Sequence, residues 1–230
     1  ALSTQQMSAL TTAQVGALTT DGIRTLANDI IGSIYKKQTL LGTAQIAALS
    51  TEQVSLGLST DQVAALTTAQ VAALTQAQVV QGLTTAQVRA METQDIAALT
   101  TGNLSALTTE QVTLGLSTDQ LVALTTVQAA VLTTAQLNLG LSTGHVGALS
   151  TAQIAVLSTE QVNLGLTTAQ IVNLSTTQVA ALSTAQVNLG LSTAQVAVME
   201  TRDIAALSTA HVAALSTAQV NLGLTTTQVA

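Results

Sequence analysis

Apolar residues recur along this chain at steps of five and then three, and the pattern restarts every eight residues. Leu66-Thr67-Thr68-Ala69-Gln70-Val71-Ala72-Ala73 is a clean copy of the unit. Written by position it reads Leu, Ser/Thr, Thr, variable, Gln, Val/Ile, Ala, Ala. The second and fifth positions make the S/T-x-x-Q pattern of a capping box, in which the hydroxyl accepts from the N3 amide and Gln reaches back to the N-cap amide. The first and sixth positions fall at N′ and N4, the two sites of a hydrophobic staple. The variable fourth position is N2, where a carboxylate complements the helix dipole. Asp21, Glu52, Asp61, Glu110, Asp119 and Glu160 occupy it.

A helix-start signal every eight residues requires that the preceding helix has ended. The pattern therefore predicts an all-α fold, a solenoid of very short helices of about six residues each, roughly 9 Å long at 1.5 Å per residue. Such helices are unstable alone, because nucleation is costly, and persist only by packing on their neighbours. The first and sixth side chains are expected to point inward, helped by the eighth. Ser/Thr, Thr and Gln are expected at the corners and outer faces. A β-solenoid is the first alternative, since Thr, Val and Ile favour strands, but Ala and Gln do not and strict alternation is absent. One continuous helix is the second, but Leu and Val would then wind around all its sides and leave no constant buried face.

Some units have nine residues and close on glycine, as in Val162-Asn163-Leu164-Gly165. The closing residues are Gly57, Gly82, Gly115, Gly140, Gly165, Gly190 and Gly223, at separations of 25, 33, 25, 25, 25 and 33. A 25-residue interval is two octads and a nonad; a 33-residue interval contains one octad more. These glycines are expected to be left-handed C-caps at one recurring corner. Each 33-residue interval contains a variant unit, Met91-Glu92-Thr93-Gln94-Asp95 or Met199-Glu200-Thr201-Arg202-Asp203, and the two lie 108 residues apart. Thirteen units and four closing glycines fill that distance, so one glycine per turn would mean about 3.25 units per turn, close to a triangular cross-section of about three. The whole of 1–230 reads as one repeat array with a 108-residue super-repeat. Residues 26–40 are its irregular segment, and Tyr35, Lys36 and Lys37 there form a candidate contact segment.

Composition narrows the picture. The chain has 230 residues, 47% hydrophobic and 7% charged, with a net charge of −6. Pro, Cys, Trp and Phe are absent and Tyr35 is the single aromatic, which suits a narrow core with no room for rings. An apolar, weakly charged chain is not disordered. No uninterrupted apolar run is long enough for a membrane span. Five basic residues give no electrostatic footprint for nucleic acid.

Candidate chemistry is sparse. His145 and His211 each replace the fifth-position Gln and read as alternative caps, with no second metal ligand at a fixed spacing. Glu92 with Asp95, and Glu200 with Asp203, offer carboxylate pairs but fall on the N-cap and N3 slots of their own units, so a capping role is expected. Arg24, Arg89 and Arg202 read as isolated surface charges. Asn103-Leu-Ser and Asn173-Leu-Ser match a glycosylation sequon. No nucleophile elbow or phosphate loop is present. No catalytic residue, cofactor or metal is expected, and the chain does not read as an enzyme.

The run Leu66–Val79, LTTAQVAALTQAQV, resembles Thr/Ala/Gln/Val-rich repeats of very large bacterial surface or secreted proteins. The resemblance covers nearly the whole chain except 26–40 and carries over no functional residue. It implies an extracellular or cell-surface location and a structural or adhesin-stalk role. The functional expectation is a structural rod, stalk or spacer segment of a larger protein. Its expected partner is a further length of the same array, either in continuation or by end-to-end self-association into filaments. The alternative is a surface-recognition module for ice, glycan or another ordered surface, using stacked Ser/Thr ladders.

Overall fold

The computed structural model describes residues 6, 8–24 and 41–229. It has two compact units, Ala1–Ala123 and Leu124–Ala230. Among the described residues every regular element is helical and no strand occurs, which removes the β-solenoid.

Each octad forms one α-helix of five or six residues, such as Thr68–Ala72 and Thr93–Ala98. The capping box starts it. Thr67 Oγ1 accepts from Gln70 N–H at 3.3 Å, and Gln70 Oε1 accepts from Thr67 N–H at 2.8 Å. Thr67 itself is extended, at φ −81° and ψ 157°, so the chain bends into each helix anew and one continuous helix is impossible. Gly42 has no side chain, and there only the reverse half of the box survives, with Gly42 N–H donating to Gln45 Oε1 at 2.7 Å. The helix closes when the next Leu donates to the sixth-position carbonyl, as Leu74 N–H does to Val71 at 3.1 Å.

The nonads end differently. Their last five residues form a π-helical turn, as in Gln78–Gly82 and Gln186–Gly190. The closing bond spans five residues: Leu83 N–H donates to the Gln78 carbonyl and Leu191 N–H to the Gln186 carbonyl, both at 2.8 Å. The ninth residue is thus absorbed as a widened turn.

In both compact units the first and sixth side chains form the core. Val71, Val79, Ile96 and Leu104 are 0% exposed in the first unit, and Val162, Val179 and Val187 in the second. Burying one such side chain is worth about 1.5–3 kcal/mol, so two per unit hold a helix too short to stand alone. In the octads the eighth position is mostly half-buried, as at Ala73, Ala98 and Ala181, but in the nonads it departs from expectation: Leu56, Leu114, Leu139, Leu164, Leu189 and Leu222 are 54–77% exposed. The π turn swings that side chain outward while its glycine turns in.

Within each compact unit a helix packs on the unit three before it. In the first compact unit Thr93–Ala98 packs on Thr68–Ala72, and Gln78–Gly82 on Gln53–Gly57; in the second, Thr193–Val198 packs on Thr168–Val172, and Gln161–Gly165 on Gln136–Gly140. Three units therefore make one turn. The value of 3.25 fails because a 33-residue interval is a full turn plus one octad. Gln111–Gly115 packs on the octad helix Thr85–Ala90, and the preceding π turn Gln78–Gly82 receives Thr101–Ala106 instead. The same shift occurs in the second unit, where Gln219–Gly223 packs on Thr193–Val198 and Thr209–Ala214 on Gln186–Gly190. Within each unit, the long interval moves the glycine to the next of the three sides.

Candidate functional site

The most repeated polar arrangement is built on the fifth-position Gln. Its side chain is 2–7% exposed in most units from Gln45 to Gln219, while Gln14 is exposed and Gln62 and Gln228 are half-buried. Oε1 closes the capping box of its own unit. Nε2 reaches the turn beneath and donates to two main-chain carbonyls at the corner there. Gln78 bonds Ile46 O at 2.8 Å and Leu49 O at 2.7 Å; Gln87 bonds Val54 O at 2.8 Å and Leu58 O at 2.7 Å. In the second compact unit Gln186 bonds Ile154 O at 2.9 Å and Leu157 O at 2.7 Å, and Gln195 repeats the arrangement on Val162 O and Leu166 O. One carboxamide thus starts its helix and fastens it to the turn below, using its acceptor and both donors. The expectation that Gln lies on the outer face is wrong, because a buried carboxamide with every hydrogen bond made carries no desolvation penalty. A signal was present in the chain. Glu can cap at N3 as well as Gln can, and Glu occupies the neighbouring fourth position at Glu52, Glu110 and Glu160, yet it never occupies the fifth. Glu lacks the donor.

The substitutes at this position keep different parts of the arrangement. Asn103 keeps the downward bond, from Nδ2 to Leu74 O at 2.7 Å, and is 5% exposed, so its sequon is enclosed. Asn173, in the other sequon, is exposed and bonds its own helix at Ala169 O. His145 and His211 keep the cap, with Nδ1 accepting from Ser142 N–H and Ser208 N–H at 3.3 Å each, as expected. The Glu of each Met-Glu-Thr unit does not cap as expected. Neither Glu92 nor Glu200 makes a side-chain cap bond. Glu92 instead accepts from Gln94 Nε2 at 2.7 Å, and Glu200 pairs with Arg202 at 2.7 Å. Asp95 and Asp203 are 0% exposed. Burial pushes the Asp203 carboxyl above its ordinary value; Arg202 opposes the rise, Glu200 adds to it, and the Glu200 backbone amide opposes it.

The closing glycines are required for space. No described glycine has positive φ, so the left-handed cap does not occur. A Cβ on Gly82 would meet Val54 Cβ at 3.1 Å and Thr51 O at 3.3 Å; on Gly115, Val88 Cβ at 3.0 Å; on Gly190, Val162 Cβ at 3.1 Å. Gly57 and Gly223 are equally confined, by Ile23 and Val196, and Gly165 is confined by Leu137. Gly140 closes the buried end of its own π turn. Opposite these turns lies a second set of bonds. Arg24 donates to Leu56 O at 2.7 Å and Arg89 to Leu114 O at 3.3 Å, while Asn138 and Asn163 donate to Leu164 O and Gly190 O at 3.2 and 3.0 Å. All four donors sit at the seventh position of the unit beneath. Arg24 and Arg89 are therefore ties between turns, where isolated charges were expected.

Tyr35, Lys36 and Lys37, with the rest of 26–40, lie outside the described residues. Among the described residues no three His, Cys, Asp or Glu side chains group as metal ligands, and no helix is long and apolar enough to cross a membrane. An open hollow bordered by Val80, Leu83, Thr108 and Glu110 brings together no pair of titratable groups.

Short capped helices, three to a turn, tied by buried side-chain amides define a helical repeat solenoid. A model described as the ALTTAQ repeat matches residues 40–68, 80–109, 88–126, 140–164 and 196–230, more than half of the chain, and the chain belongs to this repeat family. No curated protein and no solved structure matches it.

Proposed function

We propose that the chain is a structural spacer, a stalk or rod segment of a larger bacterial protein displayed outside the cell. The observation that carries this reading is the glutamine ladder. Each turn is fastened to the one beneath by the same residues in the same geometry, so the array changes length by whole units without any change in fold. The hydroxyls of the Ser/Thr caps accept from N3 amides, as Ser183 does from Gln186 at 3.1 Å, which commits them to folding before any surface role.

Self-association follows from the same mould. A turn with nothing stacked on it presents apolar sixth-position side chains and free corner carbonyls, the surface that the next turn covers elsewhere. Val212, Val220 and Val229 are 53%, 46% and 66% exposed, whereas the equivalent Val187 and Val196 beneath are 0–1% exposed. Electron micrographs of the purified chain across a concentration series test both parts. Extended particles that join end to end are expected. Extended particles that stay single would remove self-association and leave the spacer; compact particles would remove both.

A further inference from the structure

Asp203 occupies the place of the ladder glutamine and lacks what that place requires. The rule of the ladder puts two carbonyls of the turn beneath at each fifth-position side chain. For the preceding unit they are Val162 O and Leu166 O, bonded by Gln195; for a later one, Val187 O and Leu191 O, bonded by Gln219. The same register assigns Ile171 O and Leu174 O to Asp203. Ile171 O already accepts from Leu174 N–H at 3.1 Å. Leu174 is 2% exposed, and among the described residues no hydrogen bond reaches its carbonyl. By contrast Leu149 O, Leu157 O and Leu166 O, its counterparts in neighbouring units, are bonded by Gln178, Gln186 and Gln195. Asp203 is itself 0% exposed; the Glu200 backbone amide lies beside its carboxyl without meeting hydrogen-bond geometry, and no donor reaches either oxygen from the turn beneath. A carboxylate here sets acceptor against acceptor in a dry corner, a strongly unfavourable arrangement. One hydrogen on the carboxyl resolves it.

We propose that Asp203 is a neutral carboxylic acid in the folded array and donates its proton to the Leu174 carbonyl, which makes the Met-Glu-Thr unit a proton-dependent tie between turns. The direction in which burial moves this carboxyl agrees. The helices packed against Thr201–Ala205, namely Thr176–Ala180 and Thr226–Val229, carry no ionisable side chain. The charged groups that face Asp203 are those of its own unit. Arg202 Nε lies 3.9 Å from Asp203 Oδ1, but it is 65% exposed and paired at 2.7 Å with Glu200. His211, in the next unit, is committed to its own cap through Nδ1.

A proton held more tightly when folded than when unfolded stabilises the fold at low pH. The contribution is complete below the unfolded value, about 3.9 for Asp, and is lost as pH rises through the raised native value. Thermal unfolding of the full chain and of Asp203→Gln from pH 4 to pH 8 tests this. Gln restores the donor without a titration. The variant's advantage in Tm is expected to be small at pH 4 and to widen with pH by about 2–4 °C for each unit of free energy of order 1 kcal/mol. A gap that does not change with pH would overturn the proposal. An NMR titration of the Asp203 carboxyl carbon in the native chain gives a second reading that requires no folded variant. A midpoint above the ordinary range is expected, rising further in Arg202→Gln. A midpoint at or below the ordinary range would overturn it.

Discussion

Glutamine and glutamate are nearly the same shape, and at the fifth position of this repeat they are opposites. Gln78 accepts from Thr75 N–H at 2.8 Å and donates to two carbonyls beneath. Gln78→Glu keeps the first bond and turns a carboxylate on Ile46 O and Leu49 O. A buried charge with its partner removed costs about 3–5 kcal/mol, so this variant is expected to be less stable than Gln78→Ala at pH 7 in denaturant titrations, and to recover part of the loss near pH 4, where a protonated Glu regains a donor. Glycines divide in the same way. Gly190→Ala is expected to cost about 1–3 kcal/mol by overpacking, because its Cβ would sit 3.1 Å from Val162 Cβ. Gly102→Ala is expected to be neutral or stabilising by up to about 1 kcal/mol, because its nearest neighbour is Thr100 Oγ1 at 3.9 Å. The unfolding midpoint should fall for Gly190→Ala and should not fall for Gly102→Ala. The residue pattern shows where Gln and Gly belong. It does not show the second half of each role, because the partner of Gln78 Nε2 lies 29–32 residues back and the neighbour of Gly190 belongs to another turn.

The helix is the scale at which the sequence is most readable. Thr-x-x-Gln places each N-terminus, and Leu with Val or Ile names the core, as Leu157 and Val162 show at 3% and 0% exposure. Both signals lie within one octad, so neither needs knowledge of the coil. The nonad is harder. Its ninth residue permits either a left-handed glycine cap or a π turn, and the choice is made by packing on the turn beneath. An element-scale comparison follows within the unit Leu182–Gly190. Ser183→Ala removes the cap on Gln186 N–H and is expected to cost about 1 kcal/mol. Leu189→Ser, at a side chain 68% exposed, is expected to stay within about 0.5 kcal/mol of the parent. Equal losses in urea unfolding would show that the π turn depends on that leucine after all.

At the scale of the array, stability is a sum over neighbouring turns, since within each compact unit a helix touches the unit three before and the unit three after. Amide hydrogen exchange is expected to follow this rule. Protection should be greatest where turns are covered on both sides, as in 157–191, and should fall through 207–229, where the sixth-position valines are open. Uniform protection along the second compact unit would contradict nearest-neighbour stability. The two-unit division had no counterpart in the periodicity, which is local and carries no information about where compactness breaks.

The one-octad excess in each 33-residue interval gives the array a way to count. Stacking depends on the unit three earlier and is indifferent to whether that unit is an octad or a nonad, so the coil continues unchanged when an extra octad is inserted. What changes is the side that carries the outward leucine and the seventh-position donor beneath it. Unit number therefore addresses direction: one added octad advances the leucine stripe by one side of three, and three additions return it to its starting side. Evolution of such an array can re-aim a surface feature by duplicating eight residues, with no new packing to solve.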